Sequence, residues 1–183
     1  MPPSFHTLRP MIRRVVLTAI GDDRPGLVEE LSAFALERGA NIEESRMVNM
    51  HGQFAIAVLL AGSGDAVVNV ERKLHELEEI TGLAVRATPV RESRASPGQT
   101  YRITARAFDQ PGIVHQVADV LRRCWANIES VETTLEPAPV SGTPIFAMEI
   151  IVAPSNGLDE IEAALDTVCR RCDIDWTMSA VDS

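Results

Sequence analysis

Hydrophobic positions follow two periods along this chain, and the periods alternate in a fixed order. A short β-branched run near the start predicts a strand, and apolar residues then recur every three or four positions, which predicts a helix. Two more strands flank a turn at His51 and Gly52, and a second helix that ends at Gly82 leads to a last strand. The predicted strands are 15–20, 44–50, 53–60 and 83–90. The order is βαββαβ, the split ferredoxin-like unit.

The same pattern occurs twice. Asp23-Arg24-Pro25-Gly26-Leu27-Val28 returns as Asp109-Gln110-Pro111-Gly112-Ile113-Val114, and Ala40-Asn41-Ile42-Glu43 returns as Ala126-Asn127-Ile128-Glu129. Asp109 follows Asp23, and Asn127 follows Asn41, by the same 86 residues. A repeat of this length indicates that one small module has been duplicated.

The second copy repeats the element order. Its predicted strands are 101–107, 130–135, 145–152 and 174–181, with a final helix at 158–172. The prolines and glycine between 137 and 144 exclude a tight two-residue hairpin there. We therefore predict an α+β protein with two tandem ferredoxin-like modules built on antiparallel sheets. The predicted divisions are a flexible lead-in (1–12), module one (13–90), a linker (91–99) and module two (100–183).

The two sheets are predicted to differ on the side that faces away from the helices, which we call the open face. In the second module this face carries Arg102, Thr104 and Arg106, so we expect it to meet water. The matching positions of the first module are apolar or small: Val16, Thr18, Ile20, Ala55 and Ala57. We expect another sheet or another chain to cover that face.

Composition narrows the class of partner. The formal net charge of −9 disfavours direct binding to the phosphate backbone of nucleic acid. The sequence has no apolar run long enough to span a bilayer, and three cysteines, an odd number, fit a reducing compartment better than a disulfide framework. We expect a cytoplasmic protein that does not engage membranes.

The repeated loops have the chemistry of a binding site. Pro25 presets φ for a first helical turn, and Gly26 lets a ligand approach the backbone. The N–H groups of Leu27 and Val28 then lie at the positive end of a helix dipole, which favours a carboxylate. Asp23 can accept from an ammonium group or cap the helix, and we expect the side chain of Asn41 to reach the same neighbourhood.

Together these groups suit a zwitterion such as an amino acid, and they repeat in the second module. The competing interpretation is ordinary helix-start chemistry with no ligand. Asp22 and Arg24 make the first loop the more polar, so the sequence favours the first module as the binding site.

Other chemistry finds little support. The pair Cys169 and Cys172 lies at the expected end of a helix, where the dipole does not lower a thiol pKa, so we interpret these cysteines as structural. A zinc site would need two further ligands, and no nucleotide fingerprint or nucleophile arrangement appears. We expect no metal, no cofactor and no enzymatic activity.

The loop, the Asn-Ile pair, the element order and the duplication together resemble the ACT domain family of amino-acid-sensing modules. The resemblance covers residues 13–90 and 100–182. It implies ligand sites at the interface of paired modules, either within one chain or in a homo-oligomer, that include Ile42 and Ile128 beside the asparagines.

Tandem ACT modules without a catalytic domain are similar to regulators of glycine cleavage genes. This resemblance implies a repressor-like protein that responds to a small amino acid such as glycine and acts through a transcription factor. The alternative is a detached regulatory subunit of an amino-acid metabolic enzyme.

Overall fold

Strand β1 (Arg13–Asp22) shows why the first half of the chain folds as a sheet covered on one side. Val15, Leu17 and Ala19 are buried, whereas Thr18 and Ile20 point the other way and are exposed. Alternation of this kind is typical of an antiparallel sheet with one face on a core and one face open.

The computed structural model describes residues 12–90, 98–139, 142–155 and 157–181. The chain divides into two units, Met1–Ser93 and Arg94–Ser183, which we call the first and second modules. Residues 1–11 and 91–97, which hold most of the predicted lead-in and linker, lie outside the described residues.

Each module has the same element order. The first contains β1, α1 (Leu27–Glu37), β2 (Asn41–Met50), β3 (Gln53–Gly62), α2 (Gly64–Arg72), α3 (Leu74–Thr81) and β4 (Ala84–Pro89). The second contains β5 (Tyr101–Phe108), α4 (Ile113–Arg123), β6 (Ala126–Pro137), β7 (Pro144–Pro154), α5 (Leu158–Arg171) and β8 (Asp175–Ala180). The sheets are antiparallel, with orders β2-β3-β1-β4 and β6-β7-β5-β8. The predicted α+β fold with two ferredoxin-like modules is confirmed.

The final helix of the first module differs from the prediction. The sequence predicts one helix before Gly82, but α2 and α3 are separated at Lys73. The N–H of Lys73 donates to the Val70 carbonyl at 3.1 Å, only three residues back. This tight turn keeps both Val70 and Leu77 fully buried. Apolar spacing did not reveal the break because those positions also fit one continuous helix.

A separate aliphatic core lies between the sheet and the helices in each module. Leu17 in the first core and Ile103 in the second hold equivalent positions on the central strands, and both are buried. Complete burial of such a side chain contributes about 1.5–3 kcal/mol. The core therefore holds each sheet against its helices and fixes the ends of β1 and β5, where the repeated loops begin.

Candidate functional site

The repeated loops have nearly identical backbones. Gly26 and Gly112 are the N-cap residues of α1 and α4, each with φ of 97°. The helices therefore begin at Leu27 and Ile113, and the prediction that Pro25 sits in the first helical turn is wrong by two positions. A left-handed φ of this kind favours glycine, which explains why the repeat retains it.

The first turn of each helix leaves backbone donors free. The first helical hydrogen bonds run from Glu30 N–H to the Gly26 carbonyl at 2.9 Å, and from Gln116 N–H to the Gly112 carbonyl at 3.0 Å. No side chain caps either helix. The N–H groups of the preceding positions thus point out of the helix end without a partner among the described residues, as the loop motif predicted.

Asp23 does not cap α1. Its carboxylate accepts a hydrogen bond from Asn49 Nδ2 at 2.5 Å, and its own N–H donates to the Gly52 carbonyl at 2.8 Å. Asp23 therefore holds the turn between β2 and β3. Its neighbour Asp22 accepts from Gln53 Nε2 at 2.6 Å. The carboxylates of Asp22 and Asp23 therefore both have partners already.

The second residue of each loop motif ties the loop to the end of the last helix. Arg24 donates to the Ile80 carbonyl at 3.0 Å and to the Thr81 carbonyl at 3.4 Å. Gln110 donates to the Cys172 carbonyl at 3.0 Å. Arginine and glutamine thus make the same anchoring contact, although the sequence shows them as unlike residues.

Arg24 also forms an ion pair that changes the electrostatics of the first loop. Its guanidinium group donates to both carboxylate oxygens of Glu30, at 2.8 and 2.6 Å. The hydrogen bonds from Arg24 lower the pKa of Glu30 and raise the pKa of Arg24 itself. With Glu29, the first turn of α1 carries two acidic residues, which oppose the binding of a carboxylate there.

The second loop has no such pair. Gln116 occupies the position of Glu30, and the first turn of α4 contains no acidic residue. The carboxylate of Asp109 has no partner among the described residues, unlike that of Asp23. Free N–H donors and a free carboxylate therefore occur together in the second loop, whereas the sequence favoured the first.

The asparagines of the second repeated motif lie at the other end of each sheet. Asn41 pairs with Ala61, whereas Asp22, beside the loop, pairs with Gln53. This stretch of β3 spans about 27 Å at about 3.4 Å per residue. The expectation that Asn41 reaches the loop is therefore wrong within one module.

The same separation occurs in the second module, where Asn127 pairs with Ala153 and Phe108 pairs with Ile145. Asn127 Nδ2 instead donates to Glu129 Oε1 at 2.7 Å. Both sheets shift register next to Ile42 and Ile128, so the repeated Asn-Ile pair marks a β-bulge on each edge strand.

The open faces differ as predicted. In the second module Arg102 lies 3.1 Å from Glu149, Arg106 lies 2.5 Å from Glu136, and the hydroxyls of Thr104 and Thr177 are 2.8 Å apart. In the first module the face forms a shallow cavity of about 660 Å³, and Ile20 on its floor is 55% exposed.

These features match a known family. The model of the ACT domain matches residues 13–88, which span β1 to β4. The first module is an ACT domain. The whole chain is similar to the glycine cleavage system transcriptional repressor of Escherichia coli (strain K12), with 24% identity over 174 residues, 92% of this chain and 90% of that protein.

Two solved structures cover nearly the whole chain. An unknown protein from Galdieria sulphuraria has a TM-score of 0.78 and 30% identity, over 93% of this chain and 99% of that one. A candidate glycine cleavage system transcriptional repressor has a TM-score of 0.72 and 19% identity, over 94% and 99%. Both structures have the tandem fold of this ACT protein.

The cysteines of the second ACT module have the environment of structural residues. Burial is the main cause that raises the pKa of Cys169 to about 11, so its thiol stays protonated near neutral pH. Cys172 is half-buried, and its Sγ donates to Gln116 Oε1 at 2.7 Å. Within the described ranges, no group of His, Cys, Asp or Glu is arranged to hold a metal ion. No helix in this part of the chain is long and apolar enough to cross a membrane.

Sequence reasoning missed two groups of residues around the ACT loops. Asn49 donates a hydrogen bond to Asp23. Asn49 lies on another strand, and the sequence around it gives no sign of this contact. Glu30 and Gln116 decide the charge of the helix ends, and the 86-residue repeat already placed them at equivalent positions. A comparison of the modules beyond the motif itself would have identified this difference.

Proposed function

We propose that this ACT protein is a non-enzymatic regulator that binds a small amino acid at the loop from Asp109 to Val114. The free N–H groups of Ile113 and Val114 hold the ligand carboxylate at the positive end of α4, and Asp109 accepts its ammonium group. The observation that carries this proposal is that the second loop contains both free N–H donors and a free carboxylate.

The first loop, Asp23 to Val28, has a smaller role in this proposal because its charges are already paired. Asn127 and Ile128 lie too far from their own loop to touch the same ligand. They, like Asn41 and Ile42, contribute only if the other module or a second copy of the chain brings them to the loop. The proposal therefore includes paired modules, either within one chain or in a homo-oligomer, as the form in which a complete site exists.

The similarity to the Escherichia coli repressor supports glycine as the effector and the expression of glycine cleavage genes as the regulated process. The net charge of −9 favours action through a transcription factor rather than through direct contact with DNA. The odd number of cysteines favours a reducing compartment, the cytoplasm, as the place of this action. Tight, salt-sensitive binding of bare DNA would overturn this part of the proposal.

Calorimetric titration of the full chain with glycine and other small amino acids tests the site. We expect binding that Asp109→Asn abolishes, because the amide removes the negative charge that pairs with the ammonium group. The matched variant Asp23→Asn alters a turn contact in the other module and should leave the affinity unchanged. Absence of heat with every amino acid, or equal loss in both variants, would contradict the assignment.

A pull-down from the native host, with and without added glycine, tests the partner. The proposed function predicts that a transcription factor is retained and that glycine changes the amount. Retention of a metabolic enzyme whose activity responds to this chain would instead support the role of a detached regulatory subunit.

A further inference from the structure

The open face of the first module differs from its duplicate in a way that solubility does not require. Both faces come from the same fold and the same strand register. In the second module the central strand carries Arg102 and Arg106 in ion pairs, whereas in the first the Arg46–Glu44 pair lies on the edge strand and the central strand is uncharged from Val16 to Ile20. Val16 and Ile20 stand where the second module has Arg102 and Arg106. An exposed apolar face whose equivalent in the other module is polar indicates a contact surface.

Small residues form the floor of this face, and arginines stand on both sides. Arg46 on β2 and Arg86 on β4 occupy one cross-strand row, with Ala57 and Thr18 between them. Three strand spacings separate the two arginine positions, about 14 Å. This width accommodates an α-helix, whose diameter with side chains is about 10–12 Å.

The charges of Arg46 and Arg86 determine which kind of helix can bind between them. The guanidinium group of Arg86 has no partner among the described residues, and Arg46 is 79% exposed with Glu44 at 3.2 Å. A helix that lies between them needs an apolar stripe for the floor and carboxylates on both flanks. A second copy of the same face would instead bring the arginines of both copies together, which like-charge repulsion disfavours.

We propose that the open face of the first module is a docking site for an amphipathic helix of a partner protein, apolar on one side and acidic on both flanks. The bound helix covers Ile20 and Val48, which are 55% and 40% exposed. It completes a helix–sheet–helix arrangement on the first module. The inference rests on the proposed function only in requiring a protein partner, and it holds whether or not an amino acid binds at Asp109.

Two labelled 18-residue peptides test this surface with the full chain. Both carry the same leucine and alanine stripe, and their flanks are glutamate in one and lysine in the other. Fluorescence anisotropy should show binding of the glutamate peptide at least about tenfold tighter than binding of the lysine peptide, because opposite charges meet across the interface. No binding of either peptide, or equal binding of both, would overturn the proposal.

One variant that carries residues of the second module, and one that removes apolar side chains, locate the contact. Arg46→Glu with Arg86→Thr installs the residues found at the equivalent positions 132 and 177. We expect this variant to bind the glutamate peptide about tenfold or more weakly. Ile20→Gln with Val48→Thr should lower the affinity for both peptides, because it removes the apolar floor. Arg72→Glu, an exposed charge reversal on α2, is the matched control and should change the affinity for neither peptide.

Thermal unfolding of each variant shows whether the fold is intact, and light scattering gives the oligomeric state. Unchanged peptide affinity in the arginine variant would refute the inference. So would a dimer of the parent chain that Ile20→Gln converts to monomers, because a second copy would then occupy the face. Amino-acid calorimetry is a separate readout, so failure of the peptide test leaves the proposed ligand site standing.

Discussion

Gly26 and Gly112 determine the local geometry of both loops. Each has φ of 97°, and a Cβ added at Gly26 would meet no atom closer than 3.6 Å. The constraint is therefore the backbone conformation rather than a lack of space. L-residues other than glycine rarely adopt this region because Cβ meets the following carbonyl.

We expect Gly26→Ala to lower the free energy of unfolding of the first module by about 1–2 kcal/mol. Gly64→Ala is the control, because Gly64 lies in the first turn of α2 and an added Cβ meets Arg13 at an ordinary 3.7 Å. Urea denaturation measures both. Equal effects of the two substitutions would show that the conformation of Gly26 carries no cost.

The ion pair between Arg24 and Glu30 predicts a titration change. Arg24 lowers the pKa of Glu30, so the pair stabilises the folded chain above the ordinary carboxyl range and this stabilisation is lost as the pH falls through the folded pKa. Arg24→Gln, which installs the residue of the second module, should raise the pKa of Glu30 toward its ordinary value.

NMR titration of side-chain carboxyl carbons measures this change. The pKa of Glu43, which Arg14 lowers on the same module, should stay where it is in the parent chain. A Glu30 titration that is the same in both proteins would show that the two groups do not pair in solution.

At the scale of the elements, the repeat and the apolar periodicity predicted every strand and the fold of both modules. They did not predict the ends of the edge strands, which pair with only one other strand, or the tight turn that divides a helix. Edge strands β2 and β6 begin at Asn41 and Ala126, several residues before the predicted starts, because backbone pairing with a single neighbour extends them through polar positions. The break at Lys73 is set by a local hydrogen bond that apolar spacing does not encode.

The candidate site followed a similar pattern. The sequence predicted free N–H groups at two helix ends, since that follows from the loop motif. It could not predict that Asn49 engages Asp23 or that Asn41 lies far from the loop, because both depend on strand register.

The different burial of the two cysteines near the end of helix α5 predicts the order in which they react. Cys172 is half-buried, whereas Cys169 is buried with its pKa raised to about 11. Since the thiolate is the reactive form, iodoacetamide at neutral pH should label Cys172 before Cys169. Mass spectrometry of timed digests measures the order. Buried Cys124, whose pKa burial also raises, is the internal control and should lag as well.

For the whole molecule, the two cores have no buried residue in common. Leu17→Ala should therefore destabilise the first module by about 2–5 kcal/mol, and Ile103→Ala the second by a similar amount. Amide hydrogen exchange, read module by module, should show faster exchange only on the side that carries the substitution. Equal acceleration in both modules would show that they unfold as one unit.

The neutral pair Gln110 and Gln116 has a consequence for stoichiometry. In the first module the Arg24–Glu30 ion pair lies at the start of the helix, whereas the second module has neutral glutamines at the equivalent positions. Under the proposed function the parent chain takes up one amino acid. Four substitutions, Arg24→Gln, Glu29→His, Glu30→Gln and Asn49→Leu, install the residues of the second module and free the carboxylate of Asp23, and each chain would then take up two amino acids.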